Sequence, residues 1–104
     1  MIQRTLCQAI KSRNWVKITQ YDDLTSRTFE PYIVYESSTG KTLVGGVQIK
    51  NPVKPEDDRT YHNFDLAKVR LVTLTDTKFA VPFDFNPSDP RYKRVFCHVK
   101  QYSL

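Results

Sequence analysis

Apolar residues recur every four positions at the start of the chain and every two positions after that. Ile2, Leu6 and Ile10, with Ala9 beside them, make one stripe of a helix; Arg4, Gln8, Lys11 and Arg13 fall off it. Asn14 is the expected stop, because asparagine tolerates the left-handed backbone that ends helices. From Trp15 to Tyr21 the period is two, with Val16 and Ile18 on one face and Lys17 and Thr19 on the other. Asp22, Asp23, Thr25 and Ser26 supply turn chemistry. Arg27 to Tyr35 reads as the next strand, with Phe29, Ile33 and Val34 as core candidates. Pro31 lacks an amide donor and so implies a sheet edge or a bulge.

A hairpin turn at Ser37 to Gly40 leads to a third strand, Lys41 to Ile49, carrying Leu43, Val44 and Val47. Gly45 and Gly46 interrupt it. Glycine inside a strand marks a sharp bend or a close backbone approach, which small barrels need in order to close. Neither phosphate-loop spacing is present around them, so a phosphate cradle is the weaker reading. Asn51 to Asp58 is a polar loop with two prolines. Thr60 to Phe64 and Val69 to Leu74 read as short strands, joined by a tight helical turn over Asp65 to Lys68. Phe79 to Asn86 is irregular, with Phe83 and Phe85 expected to anchor it. At the C-terminal end, Ser88 can cap and Pro90 suits a first helical turn. Tyr92, Val95, Phe96, Val99 and Tyr102 then fill an arc of roughly 120° on a helical wheel. Alternation of Val95, Cys97 and Val99 is the competing strand reading, and the helix is preferred because it keeps Phe96 and Tyr102 on the apolar side.

Composition narrows the class. In 104 residues there is room for one domain, and a hydrophobic content of 39% supports a packed core rather than disorder. No apolar run is long enough for a membrane span, and Gln3, Arg4, Gln8 and Lys11 interrupt any signal-peptide core. Cys7 and Cys97 are expected as free thiols in a reducing compartment, which with the missing leader predicts a cytoplasmic protein. The net charge of +5 permits a polyanionic partner without requiring one. Arg91, Lys93, Arg94 and Lys100 form a C-terminal patch free of acids.

The stretch H-N-F-D-L-A-K-V-R-L-V-T-L-T-D-T-K-F, from His62 to Phe79, resembles the second half of a WYL domain, where the pattern is written R-x-F-x-L-D-R-I. The resemblance extends over residues 6 to 80. It takes in L-C-Q-A-I from Leu6, V-K-I-T from Val16 and F-E-P-Y from Phe29. K-T-L-V-G, from Lys41 to Gly45, stands in the place of the W-Y-L signature and keeps only its Leu43. The family's first Arg falls on His62, its Phe on Phe64 and its Leu on Leu66. Its Asp falls on Ala67 and its second Arg on Lys68, which keeps the charge but not the bidentate fork. A tyrosine that closes the first strand in the family aligns with Gln20, one residue before Tyr21.

The resemblance implies a mainly β fold with flanking helices: a small SH3-like or Sm-like barrel of about five strands between an N-terminal and a C-terminal helix. It also implies a ligand-sensing regulatory domain of bacterial or phage type, associated with transcription regulation. The expected ligand is single-stranded nucleic acid or a nucleotide-like anion. Lys68, Arg70, Arg27 and Arg59 would neutralise phosphates, His62 would contribute less charge than an arginine, and Tyr21 or Tyr61 would stack a base. No helix-turn-helix is visible, so direct duplex reading is not expected. The alternative is a protein-interaction or oligomerisation module that uses an exposed barrel edge to bind a regulatory partner or a second copy.

No catalytic constellation is legible. Adjacent side chains of Cys97 and His98 on a helix point about 100° apart and chelate poorly. The carboxylate pairs Asp22–Asp23 and Asp57–Asp58 fall in turn-like stretches. The expectation is a non-enzymatic chain with no cofactor and no metal.

Overall fold

Arg13, not Asn14, ends the first helix. In the computed structural model, which describes residues 1–100, α1 spans Ile2–Ser12. Arg13 takes the left-handed conformation (φ 59°) and its amide closes on the carbonyls of Ala9 and Ile10. Asn14 already belongs to the sheet: its side-chain amide donates to the Thr75 carbonyl at 2.8 Å. Leu6, Ala9 and Ile10 are the buried stripe, as the four-residue period predicts.

Six strands follow: β1 (Asn14–Gln20), β2 (Arg27–Glu36), β3 (Thr42–Lys50), β4 (Thr60–Asp65), β5 (Val69–Lys78) and β6 (Arg94–His98). All pair antiparallel in one sheet of order β4-β3-β2-β1-β5, with β6 also on β2. The edge strands β4 and β5 are consecutive in the chain and joined by one 3-10 turn, Leu66–Lys68, whose Ala67 amide is capped by Asp65. No ladder joins β4 to β5 among the described residues, so the sheet is open where a closed barrel was expected.

β2 organises the rest. Its first part, at residues 27 to 29, pairs with β1, and its last part, from Ile33 to Glu36, pairs with β6. β3 runs along the other side of both. The register slips between Pro31 and Ile33, so the proline sits at a bulge in a central strand, where its missing N–H does least harm. Gly46 lies opposite Pro31. A Cβ there would collide with the Glu30 carbonyl and come within 2.9 Å of the Phe29 ring. The two backbones can meet this closely only because Gly46 has no side chain.

One core results. Leu6, Ile10, Val16, Ile18, Phe29, Val34, Val44, Phe64, Val69 and Val72 belong to a single buried cluster, in which Phe29 meets Phe64 edge-on at 5.0 Å. A register shift between Thr19 and Gln20 turns Val69 inward at the start of β5.

Three further expectations are corrected. The C-terminal helix is instead strand β6, in register Ile33↔His98 to Glu36↔Arg94. The end of β2 beyond β1 offers unpaired backbone groups, and a segment rich in Val and Phe suits a pleated surface. Val99 is buried with its N–H on the Tyr32 carbonyl (2.7 Å), and the guanidinium of Arg94 lies 5.1 Å over the half-exposed Phe96 ring. Tyr102 lies outside the described residues. Second, the cysteines are not free: Cys7 and Cys97 form a disulfide that ties α1 to β6 across 90 residues of sequence. The inference of a reducing compartment from free thiols therefore lapses. Among the described residues no helix is long and apolar enough to cross a membrane. Third, Phe85 does pack on Tyr32 at 5.5 Å, but the Phe83 ring is 94% exposed.

Two stability measurements check this architecture. Opening a cross-link over so long a loop enlarges the unfolded ensemble, so Cys7→Ser is expected to lower stability by about 2–5 kcal/mol in urea unfolding. Protein that shows two reactive thiols before any reductant is added would remove the bridge. Gly46→Ala forces a methyl against a carbonyl that cannot move without breaking the bulge, at a cost of about 3 kcal/mol. Gly45→Ala meets only the ends of the Tyr61 and Asn63 side chains and should cost less. Equal losses would mean that the β2–β3 approach is looser than described.

Candidate binding sites

The residues picked out by the sequence divide into separate groups. Arg27, at the start of β2, is already engaged. Its guanidinium bonds Asp23 at 2.9 Å and Gln48 Oε1 at 3.3 Å, and lies 5.6 Å from the centre of the Phe64 ring. His62 reaches the same buried Gln48 side chain at 3.4 Å and stacks on Phe64. Arg27 and His62 thus share a partner, but as structural groups at the end of the core. Tyr21, exposed after β1, is tied through its amide to the Lys68 carbonyl at 3.0 Å, so Tyr21 and Lys68 are backbone neighbours. Lys68 and Arg70 are exposed. Arg59 is exposed with a left-handed backbone (φ 61°), and its amide closes on the Gln48 carbonyl. Tyr61 turns away from His62: the two are adjacent in β4, and strand alternation sends them to opposite faces.

On the face that carries Tyr61, β3 contributes Gly45 and Val47, which lie opposite Asn63 and Tyr61 of β4. The Tyr61 hydroxyl is 3.1 Å from that of Tyr92, the Tyr35 hydroxyl donates to Asn63 Oδ1 at 2.8 Å, and the Tyr35 and Tyr92 rings meet edge-on at 4.5 Å. Further along, the Glu30 carboxylate accepts the Trp15 indole N–H at 2.9 Å and the Tyr32 hydroxyl. Burial, reinforced by the bond to Glu30, pushes the Tyr32 phenol far above the usual tyrosine range. Burial, then Tyr92, does the same to Tyr61 and raises Tyr35.

A different surface gathers positive charge. A groove of about 700 Å³ runs between the end of α1 and β6, lined by Lys11, Arg13, Phe96, His98 and Lys100 over the Cys7–Cys97 bridge. Among the described residues no Asp or Glu lines it. Arg13 is positioned by donating to the Lys100 carbonyl at 3.2 Å, and His98 Nδ1 lies 2.7 Å from the Val99 carbonyl. Of the C-terminal cations noted from the sequence, Lys100 is in this lining, whereas Arg91 is paired with Asp89. The missed signal is the distribution of acids: all eleven lie between positions 22 and 89, while half of the sixteen Lys and Arg lie outside that interval. Strand β6 and the disulfide bring the two acid-free ends together. Among the described residues no three His, Cys, Asp or Glu side chains gather as a metal ion would need.

The phenol shifts predict an alkaline signature. A phenol that holds its proton more tightly in the folded than in the unfolded chain leaves stability unchanged below about pH 10. Stability then falls as pH rises beyond that value. Phenolate absorbance at about pH 10 should show Tyr32 and Tyr61 still protonated in the folded protein, and Tyr35 less ionised there than after denaturation, where tyrosine is half-ionised. Identical titrations in the two states would dissolve the tyrosine network.

No known protein family, no curated protein and no solved structure matches this chain.

Proposed function

We propose that this chain is a non-enzymatic binding domain for single-stranded nucleic acid or a nucleotide-like polyanion, WYL-like in its regulatory role. The observation that carries the reading is the groove between α1 and β6, where no Asp or Glu stands among the described lining residues. Lysine and arginine there can neutralise successive phosphates and release their counterions. The Phe96 ring, backed by Arg94, offers a face on which a base can stack. Neither contact reads sequence, so this is capture rather than sequence recognition. In this reading the bent sheet, with edge strands joined by a 3-10 turn, is an SH3-like barrel that is not fully closed. The cations picked out first, Lys68 and Arg70, beside Tyr21, form a second, smaller candidate patch, to which Arg27 adds little because Asp23 neutralises it.

A second reading draws on the sheet edges. The outer sides of β4 and β5 have no strand partner among the described residues, so either could pair with a partner protein or a second copy. Salt separates the two readings, because an edge pairing is far less sensitive to ionic strength than phosphate contacts are.

Fluorescence anisotropy with short labelled single-stranded oligonucleotides, at low and moderate salt, is the test. Lys11→Glu with Lys100→Glu should weaken binding more than about tenfold at low salt and flatten the salt slope by about 1.4. If Lys68→Glu with Arg70→Glu has that effect instead, the site belongs at the β4–β5 turn. Binding that neither pair of changes alters, or no binding at low salt, rejects the nucleic-acid reading.

A further inference from the structure

The segment after β5 crosses back over the tyrosine-bearing face of the sheet and leaves a cleft of about 430 Å³ beneath it. Tyr32 and Val47 line it from the sheet and Tyr61 from the edge strand; Phe85 and Tyr92 line it from the crossing segment. The rings form an arc. Tyr32 and Phe85 are 5.5 Å apart and tilted by 55°, Phe85 and Tyr92 are 6.3 Å apart, and Tyr61 touches Tyr92 hydroxyl to hydroxyl. Asp84 and Asp89 also line the cleft. Arg91 lines the cleft too, its guanidinium 5.8 Å from the centre of the Tyr92 ring and bonded to Asp89 at 3.1 and 3.4 Å, whereas Asp84 has no ion-pair partner among the described residues.

We propose that this cleft is a binding site for an alkylammonium cation, such as a quaternary ammonium or a methylated lysine side chain. Aromatic faces carry negative quadrupole density and attract a cation held within about 6 Å of the ring centre. The hydrogen-bond donors here are already engaged: the Arg91 guanidinium is bonded to Asp89, the Tyr32 hydroxyl to Glu30, and those of Tyr61 and Tyr92 to each other. Asp84 supplies the counter-charge. An alkylated nitrogen suits the site better than a bare ammonium, since it is weakly hydrated and sheds its water readily on contact with ring faces. A cleft of aromatic rings and unbalanced carboxylate is the reverse of the basic groove between α1 and β6.

The single tryptophan provides the readout. The Trp15 indole N–H and the Tyr32 hydroxyl meet on the same Glu30 carboxylate, so occupation of the cleft alters Trp15 emission. Choline should produce a saturable change, and its neutral isostere 3,3-dimethylbutan-1-ol should bind at least about tenfold more weakly. Asp84→Asn, at an exposed position, should weaken choline about two- to fivefold. Phe85→Leu should weaken it further while leaving the far-ultraviolet circular dichroism unchanged. A short peptide carrying trimethyl-lysine distinguishes the source: tighter binding than choline assigns the site to a protein-borne ammonium, and equal or weaker binding to a free one. Equal affinity for choline and the neutral alcohol, binding indifferent to both Asp84→Asn and Phe85→Leu, or no saturable binding of either cation would overturn the proposal.

Discussion

The bulge of β2 at Pro31, pressed against Gly46, is the constraint on which the other features depend. A strand that continued straight would keep β1 alongside it for its whole length. Because β2 bends there, its last residues leave β1 and expose an edge from Ile33 to Glu36, which β6 takes up. The same bend lets Phe29 face Phe64 across the core while Tyr32 and Tyr35 turn to the opposite side. Proline and glycine are poor strand residues separately. Facing one another they are compatible, since one has no N–H to leave unsatisfied and the other no Cβ to collide. A two-sided sheet, with α1 over one face and the crossing segment over the other, follows from that pair.

Charge separation follows from the same topology. The central part of the sequence holds every acid and uses several of them internally. Asp23 holds Arg27, Asp58 accepts from the Asn51 amide, Asp65 caps the 3-10 turn, and Glu30 joins Trp15 to Tyr32. The two ends have no acids of their own: Arg91 pairs with Asp89 and Arg13 donates to the Lys100 carbonyl, while Lys11 and Lys100 are exposed. β6 lays the second basic segment next to α1, and the Cys7–Cys97 bridge fixes that contact from within the groove. A modest net charge thus becomes a concentrated field, which matters for capturing a polyanion in a way that the total does not.

Much of the fold was legible because local signals agreed. The four-residue stripe of α1, the alternation in β1, the turn at Ser37 to Gly40 and the helical turn after Asp65 each act over a few residues. The bulge at Pro31 and the tight approach at the paired glycines were read correctly for the same reason: missing an N–H or a Cβ is an intrinsic property. The C-terminal strand was not legible. Its apolar residues satisfy a helical wheel as well as an alternating pattern, and the free edge of β2 that decides between them lies some 60 residues earlier. The disulfide was missed because the expectation of a reducing compartment favoured free thiols. Among the candidate site residues, Arg27 looked like a ligand-binding cation because its partners, Asp23 apart, come from β3 and β4. Tyr61 and His62 were grouped together although strand alternation alone was enough to set them on opposite faces.

The groove and the aromatic cleft lie on different sides of the protein but share one piece of chain. The segment from Tyr92 to Val99 begins in the cleft, hydrogen-bonds β2 through Lys93 to the Glu36 carbonyl and through Val99 to the Tyr32 carbonyl, and forms a wall of the groove in between. Its register on β2 therefore sets both surfaces at once. A ligand that moved Tyr92 would pull on a strand whose far end positions His98 and Lys100, and the disulfide to α1 resists that displacement at Cys97. The two proposed sites thus share one short strand. Coupling between them requires only that one ligand prefer a slightly different strand position from the other.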